Sequence, residues 1–179
     1  MNINSQKSSP THLKEYKQSS HLAPTIDLTF ELSPIETIVT NRMQVLSQDE
    51  QANETLKLDA DQLSFISVAV DGRILNDDEY VLTEKSLELS DLPSSCVLVI
   101  KNKISPENNK ELMGLYASSG NMCTQCEAQG FRRITYALDR PDVLSVFTTT
   151  IIADQEAYPT LLSNGNLVAE EDLDHGKHR

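Results

Sequence analysis

From Ile26 the chain alternates with a period of two, with Ile26, Leu28, Phe30 and Leu32 on one side and Asp27, Thr29 and Glu31 on the other. Side chains of a strand point alternately to its two faces, so this is the pattern of a half-buried β-strand. After the Ser33-Pro34 break, residues 37–45 are rich in β-branched side chains and alternate again through Val39, Asn41, Met43 and Val45. They predict an antiparallel partner for the first strand. Residues 63–70, Asp71-Gly72 and residues 73–75 read as strand, tight turn and returning strand, because Asp-Gly supplies the positive φ that two-residue hairpins need. Short strands are expected over 80–83, 86–89 and 96–101, between the turn clusters Asn76-Asp77-Asp78 and Asp91-Leu92-Pro93. A further β-branched strand is expected over 147–153, and residues 161–168 cross Asn164-Gly165, another hairpin signal. No helical period survives until Asp139, where an Asp cap and Pro141 in the first turn predict one short helix over 139–147. The expected fold is all-β, an antiparallel sandwich or set of saddle-like sheets with that single short helix.

Residues 1–20 break the alternation. They are polar, carry Lys7, Lys14 and Lys17, and hold too little apolar surface to repay ordering, so a flexible arm is expected ahead of one domain over 21–179. The length of 179 residues with 39% hydrophobic suits a single core. Fifteen basic against 27 acidic residues give a net charge of −12, which argues against nucleic-acid or anionic-membrane partners. The N-terminus shows no apolar export segment and no stretch is long enough for a membrane helix, so a cytoplasmic location is expected. Three cysteines, two of them close together, predict free thiols rather than a disulfide framework.

Candidate chemistry concentrates in residues 122–143. Cys123-x-x-Cys126 invites a zinc or redox reading, but a structural zinc site needs four ligands and no second pair occurs; two small buried side chains lining a loop is the preferred reading. His175 and His178 are three apart in a segment interrupted by Gly176, which favours solvated or interface histidines. No HExxH, G-x-S-x-G, P-loop or G-x-G-x-x-G is present. Neither a catalytic residue nor a metal ligand is therefore expected in these 179 residues. Asp139 and Asp142 read as helix-start acids, with Arg132 and Arg133 placed to pair with them. Glu127 stands out as a single carboxylate in a loop crowded by Gln125, two cysteines, Gly130 and Phe131.

The run Cys123-Thr124-Gln125-Cys126-Glu127-Ala128-Gln129-Gly130-Phe131-Arg132, then Ile134-Thr135-Tyr136, then Asp139-Arg140-Pro141-Asp142-Val143, closely resembles the N-terminal domain of the bacterial aminopeptidase N family of zinc metallopeptidases. Leu115-Tyr116 before it, and Tyr158-Pro159 with Leu161-Leu162-Ser163-Asn164-Gly165-Asn166 after it, keep the order of that family. The match is dense over 115–166 and thinner over 26–101, and Gln129 stands where the family leads one to expect Glu. The resemblance implies that Glu127 binds the free α-ammonium of a peptide substrate and that Gln125 lines the same subsite. It also implies zinc in the full-length parent, with the Gly-Ala-Met-Glu-Asn and HExxH motifs in a catalytic domain beyond Arg179, a partner in the same polypeptide. The fragment by itself is then expected to be inactive, and residues 170–179 to lead out of the domain and leave a face that the neighbour covers. Two readings from other classes compete. One is a free-standing β-sandwich adaptor that binds an extended peptide at a sheet edge; the other is a small thiol or zinc protein built on Cys123 and Cys126.

Overall fold

A computed structural model describes residues 12–48 and 54–179. Thirteen strands follow in chain order: β1 (His21–Leu22), β2 (Thr25–Glu31), β3 (Thr37–Ser47), β4 (Leu56–Asp59), β5 (Ser64–Val70), β6 (Arg73–Ile74), β7 (Val81–Leu82), β8 (Ser86–Leu89), β9 (Ser95–Ile104), β10 (Gly114–Ser118), β11 (Asn121–Gln125), β12 (Val146–Asp154) and β13 (Lys177–His178). Short 3-10 turns are the only helical pieces among the described residues, and no helix is long and apolar enough to cross a membrane.

Eight strands form the main sheet in the order β13-β12-β2-β3-β9-β5-β6, with β1 also pairing β3. The period-two segments behave as the alternation demands. In β3 every odd position from Thr37 to Val45 is buried, and β2 lies antiparallel to it with Ile26 opposite Met43 and Phe30 opposite Val39. The Asp71-Gly72 turn joins β5 to β6 with both residues at positive φ. A three-stranded sheet, β4-β8-β7, packs over the inner face of the main sheet, so Leu56, Leu58, Leu87 and Leu89 meet Val39, Met43, Leu98 and Ile100 in one continuous core. The β10-β11 hairpin stands as a separate two-stranded ribbon.

Three sequence expectations are corrected. The sheet is mixed rather than purely antiparallel, because β12 runs parallel to β2 with Phe147 opposite Ile26 and Ile151 opposite Phe30. The helix over 139–147 does not form. Asp139 Oδ2 accepts from the backbone N (3.2 Å) and Nε (2.8 Å) of Arg132, so it is not free to cap, and Arg140 precedes a proline, which disfavours the helical region there. A single turn, Val143 N donating to Arg140 O at 3.3 Å, replaces it and delivers the chain directly into β12. Nor does a hairpin form at Asn164-Gly165. Gly165 does take φ +93°, but residues 161–168 make no ladder, and Leu162, Leu167 and Val168 are largely exposed.

Of the expected arm, residues 1–11 lie outside the described residues. The part that follows rests on the domain: the Tyr16 hydroxyl donates to Asp142 Oδ2 (2.9 Å), Arg140 donates to Lys17 O (2.7 Å), and Gln48 donates to Ser19 O (2.6 Å).

Candidate functional site

The loop that holds Glu127 is built from its two ends. β10 and β11 pair from Gly114 opposite Gln125 to Ser118 opposite Asn121, and Ser119-Gly120 close the turn with both φ values positive. Cys126 then turns half inward, Glu127, Ala128 and Gln129 are exposed, and Gly130 is buried. Gly130 N donates to Cys126 O at 2.7 Å, closing the loop on itself. No larger residue fits there: a Cβ on Gly130 would lie 2.7 Å from Gln125 O and 2.8 Å from Cys126 Cα.

Behind the loop the chain is clamped. Arg132 holds Asp139 through Nε and the Asp139 carbonyl through a second nitrogen (3.0 Å), and reaches Asp59 Oδ2 at 3.4 Å. Arg133 pairs with Asp61 at 3.3 Å, and Lys85 pairs with the same carboxylate. The expected ion pairing of these arginines is thus real, though Arg133 finds a β4-side partner rather than the acids at 139–142. Residues 134–137 are buried against the sheet, where the side-chain amides of Asn102 and Asn41 donate to the carbonyls of Ile134 (2.9 Å) and Tyr136 (3.0 Å). Sequence reading placed Asn41 on the inward face of its strand without seeing a role; only the tertiary approach of a segment nearly a hundred residues away reveals one. Tyr136 packs edge-on against Phe65, and burial pushes its hydroxyl up to about 12.

Against this rigid base Glu127 is conspicuous for what it does not touch. Its side chain makes no hydrogen bond or ion pair with any described residue, while its backbone carbonyl accepts from Gln125 Nε2 at 3.4 Å. The structure therefore brings the two sequence-nominated residues together at one exposed tip. Both lie outside a trough of about 720 Å³ beneath the loop, walled by Leu28, Phe30 and Ile151 of the sheet, Met122, Cys126 and Phe131 of the loop, and the segment from Ala157 to Asn164.

The other candidates separate. Cys123 sits on β11 opposite Tyr116, and the Cys126 thiol is pushed up by burial and then by the nearby Asp139 charge, the reverse of what a metal ligand or reactive thiolate needs. No group of three or more His, Cys, Asp or Glu among the described residues fits a metal ion. His178 is committed to Tyr158 O at 2.8 Å, and His175 lies in an exposed turn with φ +60°.

Fold and loop together define an all-β domain that presents one unpaired carboxylate on a braced hairpin. The chain belongs to the Peptidase M1 N-terminal domain family, which matches residues 13–179. It is 44% identical over 167 residues to aminopeptidase N of Caulobacter vibrioides, covering 93% of this chain and 19% of that protein. It is equally 44% identical over 167 residues to aminopeptidase N of Escherichia coli, covering 92% and 18%. Among solved structures, Legionella pneumophila aminopeptidase A superposes with a TM-score of 0.87 at 33% identity, over 94% of this chain and 20% of that one. An M1 zinc metallopeptidase from Deinococcus radiodurans shares the fold, with a TM-score of 0.74 at 15% identity over 90% of this chain and 38% of that one. The family resemblance carried by residues 115–166 is borne out. The chain spans about a fifth of the length of the aminopeptidases it matches.

Proposed function

We propose that this domain serves a cytoplasmic zinc aminopeptidase that removes single residues from peptide N-termini, that Glu127 anchors the substrate's free α-ammonium, and that Gln125 lines the same subsite. The observation that carries the reading is the exposed, unpartnered Glu127 carboxylate on a loop otherwise fixed by buried hydrogen bonds and ion pairs. An exopeptidase must tell a terminal ammonium from an internal amide. A carboxylate accepts hydrogen bonds without donating them and attracts the cation, so it makes that distinction by charge. Holding it in place beforehand keeps the ordering cost out of the binding step. The residues described here do not fit zinc, so the metal and the water it activates are assigned to the remainder of the polypeptide, while this domain supplies the amine anchor and one wall of the active-site cavity.

The test is Glu127→Ala in the full-length enzyme. Removing one partner of a close, partly desolvated charge pair costs about 2 to 5 kcal/mol. At about 1.4 kcal/mol per factor of ten, kcat/KM falls by roughly 30-fold or more. Because Glu127 braces nothing within the domain, melting temperature and zinc content stay at wild-type values. Near wild-type kcat/KM in a folded variant overturns the anchor assignment.

A further inference from the structure

The outer edge of β12 is open for most of its length. Val146 N donates to Pro24 O (2.9 Å) and Ile152 O accepts from Leu32 N (2.8 Å), so with a period of two the even positions 146–152 turn their backbone groups to β2. Phe147, Thr149 and Ile151 turn theirs away, toward an edge whose only partner among the described residues is β13, at Ala153 and Asp154. An uncovered edge with this much backbone hydrogen-bonding capacity is a template for another strand. Its apolar neighbours are uncovered too: Val146 is 72% exposed and Phe147 52%.

We propose that this edge takes the polypeptide immediately beyond Arg179 as an added antiparallel strand, closing the side of the trough beneath the Glu127 loop. The inference rests on the reading that the chain is one part of a longer aminopeptidase, as the one-fifth coverage of its relatives supports. The direction comes from β13. It pairs His178 with Ala153 and Lys177 with Asp154, and is held on its other side by paired bonds between Arg179 and Glu171 (2.8 and 2.9 Å). Each step forward from His178 moves one residue back along β12. Arg179 therefore falls opposite Ile152, and the next six residues fall opposite 151 down to 146. Arg179 turns its backbone groups to Glu171 and not to β12, so the hydrogen-bonded pairs of the extension fall opposite Ile151, Thr149 and Phe147, the three positions with free groups. Alternation then puts the first and third added side chains on the face of Ile151 and Thr149, over the trough, where apolar residues are required. The fifth falls at Phe147, already edge-on to Phe131 at the rim.

Three measurements test this without reference to activity, so they stand or fall independently of Glu127. The first and third residues past Arg179 in the full-length sequence are apolar; charged residues at both overturn the proposal. Amide exchange at Phe147, Thr149 and Ile151 is fast in the 179-residue chain and slower by about 100-fold or more in the full-length protein, while Thr148 and Thr150 are protected in both. Equal rates in the two proteins overturn it. In the full-length protein, Thr150→Cys and a cysteine at the second position past Arg179 form a disulfide on mild oxidation, mapped by mass spectrometry against the native thiols. A cysteine moved one position either way does not. Absent or shifted cross-linking overturns the register. A protected edge in the 179-residue chain on addition of an unrelated extended peptide, with no protection in the full-length protein, assigns the edge to a partner in trans and also overturns the proposal.

Discussion

One methyl group at Gly130 tests whether the Glu127 loop is as tightly built as its geometry says. Gly130 has φ −94° and ψ −11°, a conformation open to any L-residue, so Gly130→Ala adds no backbone strain and its effect is steric. The new Cβ would lie 2.8 Å from Cys126 Cα and 2.7 Å from Gln125 O. An ordinary carbon contact is about 3.5 Å, so one side of the loop moves by about 0.7 Å. Both neighbours are backbone and cannot swing aside. Overpacking of this kind costs about 1 to 3 kcal/mol. At about 2 to 4 °C per kcal/mol for a domain of this size, thermal unfolding followed by circular dichroism drops by about 2 to 12 °C. The same displacement carries Gln125 and Glu127 out of register, and a misplacement of about 1 Å can cost about 100-fold in rate. In full-length enzyme kcat/KM then falls further than the stability loss explains at a temperature where the variant is fully folded. Gly120→Ala is the control. It sits in the β10-β11 turn at φ +84° with nothing within 4 Å, so it strains the backbone without pressing on the loop, and lowers stability while leaving kcat/KM of folded enzyme near wild type. Gly130→Ala with an unchanged midpoint and unchanged kinetics refutes the close packing on which the argument rests.

Asn102→Leu leaves the buried Ile134 carbonyl without its donor, which costs about 1 to 3 kcal/mol, and chemical denaturation should show a lower midpoint with an unchanged slope; an unaltered midpoint means that the clamp beneath the loop contributes nothing. His21 is buried, and desolvation lowers its pKa below the ordinary 6.5 despite the opposing charge of Glu54. The unfolded chain therefore takes up a proton that the folded chain refuses as pH falls below 6.5, so the stability His21 contributes is present above that value and is lost on acidification through the folded pKa. The fall in melting temperature between neutral and mildly acid pH is smaller in His21→Gln than in the parent domain, and equal falls refute the assignment.

How much of this was legible in the sequence depends on how far each feature reaches. Alternation is local, and it predicted β2 and β3, because in each the apolar half of the period faces the core; the Asp71-Gly72 turn followed from its own turn chemistry and β12 from its β-branched residues. Local rules failed where a distant residue competes for the same group. The acid at 139 had every local mark of a helix cap, yet Arg132, seven residues upstream, offers it two hydrogen bonds, one from its backbone N–H and one from its charged guanidinium, against the single bond a cap supplies. The direction of β12 relative to β2 was not readable either, since an apolar period is the same read in either sense, and the two are joined by more than a hundred residues that pass through most of the domain. Glu127 shows the same division. Its neighbourhood marked it, because Gly130 and Cys126 are poor choices for a plain solvent loop. The reason that neighbourhood is needed appears only in three dimensions, where Arg132, Asn41 and Asn102 fasten the residues behind it to β3, β4 and β9. On the proposed anchor role, a carboxylate kept for an outside partner gains nothing from contacts of its own, and the stabilising interactions lie behind it, spread over three strands that no local pattern connects.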